Sequence, residues 1–264
     1  MAGSGSPPAE VVSSVQVALE SRYTARFARD SAIAERVLFP VSTAERSGVE
    51  DVRFVPFEDG KRADFRGSYT AYDGRSIASH LVTTPDFRTF TTSRLFGPAA
   101  RDKGMALFPR RVDGTLLAVA RRNRDALVIA SSTDGLWWED AGLVQRPRRP
   151  WELIQLGTGA PPLATPEGWL VITHGVGPVR HYALGAMLLD LDDPLRVRGV
   201  LPEPLLAPTD EERIGYVPNV VYTCGALVHG GLVLLPYGCS DSSVRFATIP
   251  LEPLLDRLLE APPA

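Results

Sequence analysis

The feature that most constrains this chain is an internal repeat. Four segments each read as a short β-strand that runs into a glycine turn, and the turn glycines are Gly60, Gly114, Gly168 and Gly230, spaced 54, 54 and 62 residues apart. A second strand with a polar end follows each turn, and a third strand follows that one. A period of this length with about four strands per unit is typical of a β-propeller, in which each unit is one blade.

The repeat predicts an all-β fold with about four complete blades in one domain over residues 11–264. An isolated four-stranded blade leaves both faces exposed, so blades stack around an axis. The alternative that stays open is an irregular all-β sandwich. Helical periodicity is confined to a short C-terminal helix over Leu251–Leu259 and a second short helix over Val11–Ala18. Residues 1–10, MAGSGSPPAE, are expected to form a disordered tail.

Composition excludes several classes of function. The formal net charge is −3 and no block of basic residues occurs, so we expect no nucleic-acid partner. No apolar run approaches the ~18 residues that cross a membrane, and the first residues lack a secretion-signal pattern. The only cysteines are Cys224 and Cys239, which we expect to be reduced, and a cytoplasmic location fits all of this. The four histidines lack metal-ligand spacing, so we predict no metal site.

The repeat also predicts the position of a ligand-binding site, because the inner strands of a propeller converge on a central channel. Aligning the units gathers polar residues that are distant in sequence: Glu50, Asp51, Arg53, Tyr72, Asp73, Arg75, Lys103, Arg121, Arg122, His174, Arg180, Tyr237 and Asp241. Acids, tyrosines and arginines around one axis suit an anionic or sugar-like ligand. Arg121 and Arg122 alternate along a strand, so at most one of them faces the channel.

Some of these residues have purely structural interpretations. The Glu50-Asp51-Val52-Arg53 segment is equally compatible with a salt bridge that caps a strand. His174 lies in an apolar strand and, taken alone, is more typical of a hydrogen-bonded core histidine. The Trp137–Trp138 pair after a turn is expected to pack between blades.

Several segments resemble family 130 of the glycoside hydrolases. They are GVEDVRF, GSYTAYDGR, DKGMALFPRRVDG, GTGAPPLATPEGWLVITHGV, YALGAMLLDLDDP and YVPNVVYTCG. The resemblance runs from about residue 37 to residue 255. It implies a five-bladed β-propeller and the activity of a β-mannoside phosphorylase or a related β-mannosidase. A phosphorylase of this family cleaves a β-mannoside with inorganic phosphate and inverts the anomeric centre, giving α-mannose 1-phosphate.

The resemblance also implies roles for individual residues. Asp51 matches the family's proton donor, which is thought to act through a sugar hydroxyl. The best matches to the phosphate-binding set are Arg75, Arg121 and His174. The matches to the sugar-binding set are Glu50, Arg53, Tyr72, Asp73, Lys103, Tyr237 and Asp241. The resemblance implies no cofactor. It implies two substrates, a β-mannoside oligosaccharide and inorganic phosphate.

The sequence departs from the family pattern at three places. Val52 replaces a proline that usually follows the acidic pair. Gln155 lies near the position of a lysine in many phosphorylases, so a β-mannoside hydrolase stays open as an alternative. Fewer residues precede Asp51 than is usual, so we expect an incomplete first blade with an exposed edge that favours association with a second copy. A truncated, non-catalytic glycan-binding propeller is the remaining alternative.

Overall fold

The computed structural model describes residues 9–58 and 63–261. Its two α-helices are α1 (Ala9–Glu20) and α2 (Leu251–Glu260), and both short helices predicted from periodicity are confirmed. Of the predicted disordered tail, residues 1–8 lie outside the described residues, whereas Ala9 and Glu10 belong to α1. No described helix is long and apolar enough to cross a membrane.

The described strands form four antiparallel sheets that follow one another along the chain. The first sheet contains β1 (Thr24–Arg26), β2 (Val49–Glu58), β3 (Ala63–Tyr72), β4 (Ile77–Thr84) and β5 (Thr89–Arg94). The second contains β6 (Ala106–Leu107), β7 (Leu116–Arg122), β8 (Ala126–Ser132) and β9 (Glu139–Gln145). The third contains β10 (Gln155–Thr158), β11 (Leu163–Thr165), β12 (Gly168–Gly177), β13 (His181–Leu189) and β14 (Val197–Val200). The fourth contains β15 (Val221–Tyr222), β16 (Leu227–His229), β17 (Leu232–Cys239) and β18 (Ser243–Pro250).

Each sheet corresponds to one unit of the sequence repeat, so the all-β, four-bladed propeller-like arrangement is confirmed. The turn glycines Gly114 and Gly230 adopt φ of 72° and 57°, a left-handed conformation that other residues rarely tolerate. This requirement explains why glycine recurs at that point of the repeat. A fifth blade, as the resemblance implied, is not among the described sheets.

Apolar clusters join consecutive sheets. One cluster lies between the first and second sheets around Phe57, Leu107 and Trp138. Another lies between the second and third sheets around Phe108 and Trp169. The third lies between the third and fourth sheets and includes side chains from α2. Burial of both faces explains why β12 reads as an almost continuous apolar run, since all ten of its residues are buried.

The first and fourth sheets meet differently. An open groove of about 450 Å³ separates them, lined on one side by Val52 and Phe54 and on the other by residues of β17 and β18. Along β18, Val244 and Phe246 are 70% and 78% exposed. The fourth sheet therefore buries one face against the third sheet and leaves much of the other face open.

Candidate active site

A polar cavity of about 230 Å³ lies where the inner strands of the four sheets converge. Six of the residues that the repeat alignment grouped line it: Asp51, Lys103, Arg121, His174, Arg180 and Asp241. They come from all four sheets or the loops beside them, so the propeller brings together residues up to 190 positions apart in sequence. The cavity therefore contains these six of the thirteen residues that the repeat alignment grouped.

Asp51 reaches the cavity because strand β2 is irregular at that point. Glu50 pairs with Thr70 and Arg53 pairs with Ser68, so β2 has one more residue than β3 over this stretch, which is a β-bulge. Asp51 itself has a φ of 62°, an uncommon value for a residue with a side chain. Such strained positions are common at functional sites. The bulge breaks the strand's alternation and turns the Asp51 carboxylate toward the cavity.

Arg53 lies behind Asp51 and ties three sheets together. Its guanidinium is 1% exposed and donates through Nε to the Gly159 carbonyl at 2.9 Å and through Nη1 to the Asp51 carbonyl at 2.7 Å. Nη2 donates to the Tyr222 hydroxyl at 2.7 Å, and that hydroxyl donates to Oδ2 of Asp51 at 3.0 Å. Arg53 does not line the polar cavity and instead holds Asp51 in place, whereas the family resemblance gave it a sugar-binding role.

Arg121 is the best-placed cation for an anionic ligand. It lines the cavity yet is only 6% exposed, and its Nη2 donates to Oδ1 of Asp102 at 2.7 Å. Its Nε is buried without a hydrogen-bond partner among the described residues. A buried donor without a partner costs about 1–3 kcal/mol. The neighbouring Arg122 points away and pairs with Asp140, as the strand alternation predicted.

Asp102 organises the basic side of the cavity. Besides its ion pair with Arg121, its Oδ1 accepts a hydrogen bond from the Lys103 backbone N–H at 2.8 Å, and its Oδ2 accepts one from the Arg124 N–H. The Lys103 ammonium donates to Oε1 of Glu50 at 2.9 Å. The predicted residue Glu50 therefore holds Lys103 and lines a neighbouring cavity rather than this one.

His174 is a neutral hydrogen-bonding group at this site. Its Nδ1 lies 3.1 Å from the Thr158 carbonyl, which can only accept, so Nδ1 carries the proton. Burial lowers the pKa of His174 to about 3, and the nearby Arg53 and Arg121 charges act in the same direction. Near neutral pH, Nε2 is therefore an acceptor. His174 can therefore receive a hydrogen bond from a hydroxyl group of the ligand or from a protonated oxygen of phosphate.

Four other predicted residues do not line this cavity. Tyr72, Asp73 and Arg75 lie at the hairpin turn between β3 and β4, where Oδ1 of Asp73 accepts hydrogen bonds from the Arg75 and Ser76 N–H groups. These turn hydrogen bonds hold the pKa of Asp73 at about 2. Tyr237 is buried in the cluster between the third and fourth sheets, and its hydroxyl donates to Oε1 of Glu212. Strand ends in equivalent units therefore do not all face the channel.

Sequence reasoning missed Tyr222, Tyr182 and Asp102 as parts of the site. Tyr182 and Tyr222 line the cavity and contact the His174 ring, whose centroid lies 6.1 Å and 4.9 Å from theirs. Tyr182 lies at the start of β13 and Tyr222 at the end of β15, whereas Asp102 lies in the loop before β6, and the repeat alignment singled out none of the three. Arg180, which the alignment grouped with His174, and Gln155 also line the cavity. No cluster of His, Cys, Asp or Glu arranged to hold a metal occurs within residues 9–58 and 63–261.

Comparison with known proteins agrees with this geometry. A family profile described as beta-1,4-mannooligosaccharide phosphorylase, of glycoside hydrolase family 130, matches residues 9–260. A beta-1,2-mannobiose phosphorylase from Listeria innocua is 31% identical over 230 residues, covering 84% of this chain and 63% of the relative. A 1,2-beta-oligomannan phosphorylase from Thermoanaerobacter is 32% identical, covering 79% of this chain and 70% of the relative.

The solved structure of the Listeria innocua phosphorylase in complex with beta-1,2-mannobiose superposes with a TM-score of 0.74 at 30% identity. The superposition covers 84% of this chain and 63% of that structure. The chain thus spans less than two thirds of the length of this relative. The match over residues 9–260 and the shared fold lead to one conclusion: this chain belongs to family 130 of the glycoside hydrolases.

Proposed function

We propose that this protein is an inverting β-mannoside phosphorylase, which converts a β-mannoside and inorganic phosphate into α-mannose 1-phosphate and a shortened sugar. The observation that carries the proposal is the buried Arg121 guanidinium, which Asp102 holds in the wall of the same cavity that Asp51 lines. A dianionic nucleophile needs positive charge that is held in place before it arrives. The names of the Listeria and Thermoanaerobacter relatives support a β-1,2-linked mannoside as the substrate.

Each group has a defined task in this reaction. Arg121 and Lys103 bind the phosphate and offset its charge. A phosphate oxygen attacks C1 of the mannoside, the C1–oxygen bond breaks on the opposite face, and the leaving oxygen takes a proton that originates at Asp51. Because phosphate replaces an activated water, no second carboxylate is needed as a base. His174 accepts a hydrogen bond from a substrate hydroxyl, and Asp241 contacts the sugar.

The position of Asp51 supports its role as the source of the proton. Its carboxylate is 26% exposed and lies in the wall between the polar cavity and a second, mainly apolar cavity of about 240 Å³. The second cavity is lined by the N-terminal residues Tyr23, Leu38 and Phe39 together with Val52 and Phe54. An acid at the boundary between the two cavities can reach both the phosphate side and the leaving group of a bound oligosaccharide.

A β-mannoside hydrolase is the second candidate. Gln155 lines the polar cavity, and the family resemblance would place a lysine near that position in many phosphorylases. An uncharged residue leaves one fewer cation for phosphate.

The test is an assay of the purified chain with β-1,2-mannobiose and β-1,4-mannobiose, with and without phosphate. We expect α-mannose 1-phosphate to be released only when phosphate is present, and we expect Asp51→Asn to reduce the rate by about 10²–10⁴-fold. The matched control is Asp73→Asn, which changes a carboxylate outside the cavity and should leave the rate unchanged.

Free mannose released without phosphate would establish the hydrolase instead. Glycan binding without turnover would establish the non-catalytic alternative, and unchanged activity in Asp51→Asn would remove the proposed acid.

Three wider predictions belong to the same proposal. The sequence predicts a complete propeller with a fifth blade. It also predicts association with a second copy through an exposed blade edge, and a cytoplasmic location. The open groove between the first and fourth sheets supports the first two, since it is the one junction without an apolar cluster among the described residues.

A further inference from the structure

A separate cleft of about 250 Å³ lies between the first and second sheets and shares no lining residue with the polar cavity. Arg94 and Arg101 line it, together with Phe96 and Trp137, and no carboxylate does. Arg94 ends β5, and Arg101 follows the short helical turn Pro98–Ala100. The proposed reaction uses none of these residues, so the cleft needs its own explanation.

Trp137 is exposed where packing was expected. Its neighbour Trp138 is 2% exposed and packs between the blades, whereas Trp137 is 53% exposed. The exposed ring is nevertheless held in place: its backbone N–H donates to Oδ1 of Asp134 at 2.9 Å, and its Nε1 donates to Oε1 of Glu139. A fixed, exposed indole presents a flat apolar face with little conformational entropy left to lose on binding.

The two arginines of the cleft have unused hydrogen-bonding capacity. Neither Arg94 nor Arg101 forms an ion pair with any residue that the structure describes, and the Nε of Arg94 is buried without a partner. Asp73 is the carboxylate whose charge acts on Arg94, but its oxygens are already bonded to the turn that follows β3. Guanidinium groups bind phosphate and carboxylate oxygens through planar, charge-assisted hydrogen bonds.

We propose that this cleft is a second binding site, which takes an anionic sugar. The sugar ring packs on Trp137, and a phosphate or carboxylate group of the same ligand binds Arg94 and Arg101. The cleft connects to the polar cavity through three consecutive residues: Arg101 lines the cleft, Asp102 holds Arg121, and Lys103 lines the cavity. A ligand bound in the cleft would therefore contact the segment Arg101–Lys103, which positions the cations of the polar cavity.

The test is a titration followed by tryptophan fluorescence, using four probes: α-mannose 1-phosphate, glucuronate, mannose and inorganic phosphate. We expect the phosphorylated sugar or the uronate to change the fluorescence, and the change to disappear in Trp137→Phe. Arg94→Gln and Arg101→Gln should each weaken binding about tenfold or more. Arg88→Gln is the matched control, because Arg88 is an exposed arginine beyond the other end of β5.

Arg121→Gln separates this cleft from the polar cavity, because it removes the principal cation of the cavity and should leave the fluorescence change intact. A change that is lost in Arg121→Gln but kept in Arg101→Gln would overturn the proposal, as would mannose or phosphate alone binding as tightly as the anionic sugars. Arg101 is exposed, so Arg101→Gln gives a folded test protein even if Arg94→Gln proves unstable. The response to the phosphorylated sugar compared with the uronate identifies which anionic group the cleft prefers.

Discussion

The two walls of the polar cavity rest on different kinds of support. The basic wall, formed by Arg121 and His174, belongs to the second and third sheets, whose shared apolar cluster includes fully buried Leu156 and Trp169. The acidic wall, formed by Asp51 and Tyr222, belongs to the first and fourth sheets, which face each other across an open groove. Packing therefore supports one wall, and hydrogen bonds support the other.

Arg53 connects the first sheet to its neighbours by hydrogen bonds, at a place where apolar packing is missing. Its guanidinium on β2 reaches the Thr158 and Gly159 carbonyls of the third sheet region and the Tyr222 hydroxyl of the fourth sheet. Hydrogen bonds depend on direction and distance more strongly than apolar contacts do. The acidic wall should therefore be the more sensitive of the two to single substitutions.

The largest effect is expected for Arg53→Ala. Removing this buried cation takes a hydrogen bond from the Tyr222 hydroxyl and from three backbone carbonyls, and we expect the free energy of unfolding to fall by about 3–5 kcal/mol. Urea unfolding measures the change. The control is Arg122→Ala, which removes a 39% exposed arginine paired with Asp140 and should cost at most about 1 kcal/mol. Equal losses in the two variants would contradict the role given to Arg53.

The buried histidine of the basic wall should make the free energy of unfolding depend on pH. The folded protein holds His174 neutral, with a pKa of about 3, whereas the unfolded chain binds a proton near the ordinary value of 6.5. Between those values the unfolded state binds more protons, so stability falls as the pH falls. From pH 6.5 to 5 this histidine alone should lower the free energy of unfolding by about 2 kcal/mol.

Urea unfolding of wild type and His174→Asn at pH 7 and pH 5 checks this expectation. The variant should lose less stability on acidification than the wild type. His229→Asn, which removes an exposed histidine on β16, is the control and should follow the wild type. Identical pH dependence in wild type and His174→Asn would show that the buried histidine is not held neutral.

Gly157→Ala tests the packing of the basic wall directly. A Cβ at Gly157 would lie 2.6 Å from Nε2 of His174, too close for the ring to keep its place. We expect a loss of about 1–3 kcal/mol in stability and a higher KM for the mannoside, because the acceptor Nε2 moves. Gly225→Ala is the matched control, since its Cβ would meet nothing within 4 Å. A fully stable and active Gly157→Ala would argue against a close-packed basic wall.

The smallest effect is expected for Tyr222→Phe, which keeps the ring and removes only the hydroxyl between Arg53 and Asp51. We expect kcat to fall about tenfold. The hydroxyl joins the buried Arg53 guanidinium to the Asp51 carboxylate, so its loss leaves the carboxylate less firmly positioned. Tyr72→Phe, outside the cavity, is the control. An unchanged kcat in Tyr222→Phe would contradict the positioning role given to this hydroxyl.

Much of the fold was predictable because the repeat depends on residue types that are close together in the sequence. Glycine turns and alternating or continuous apolar strands recur in each unit of the sequence, and Gly114, Gly168 and Gly230 have positive φ, so the four sheets and both helices followed from the chain. The candidate site was predictable in part. The structure brings Asp51, Lys103, Arg121, His174, Arg180 and Asp241 to one cavity, and it leaves Tyr72, Asp73, Arg75 and Tyr237 outside that cavity. Strand alignment indicates which end of a blade a residue occupies, but the twist of each sheet decides which way it faces.

The sequence by itself determined the repeat, the all-β fold and the family to which the chain belongs, because these depend on residue type and spacing. Only the tertiary structure decided that a bulge aims Asp51, that Arg53 serves as a tie, that His174 stays neutral and that Trp137 is exposed beside two arginines. Each of those outcomes depends on groups from different sheets meeting across distances that no local pattern records. The physical reason is that burial and hydrogen-bond partners, rather than residue type alone, set what a charged or aromatic side chain can do.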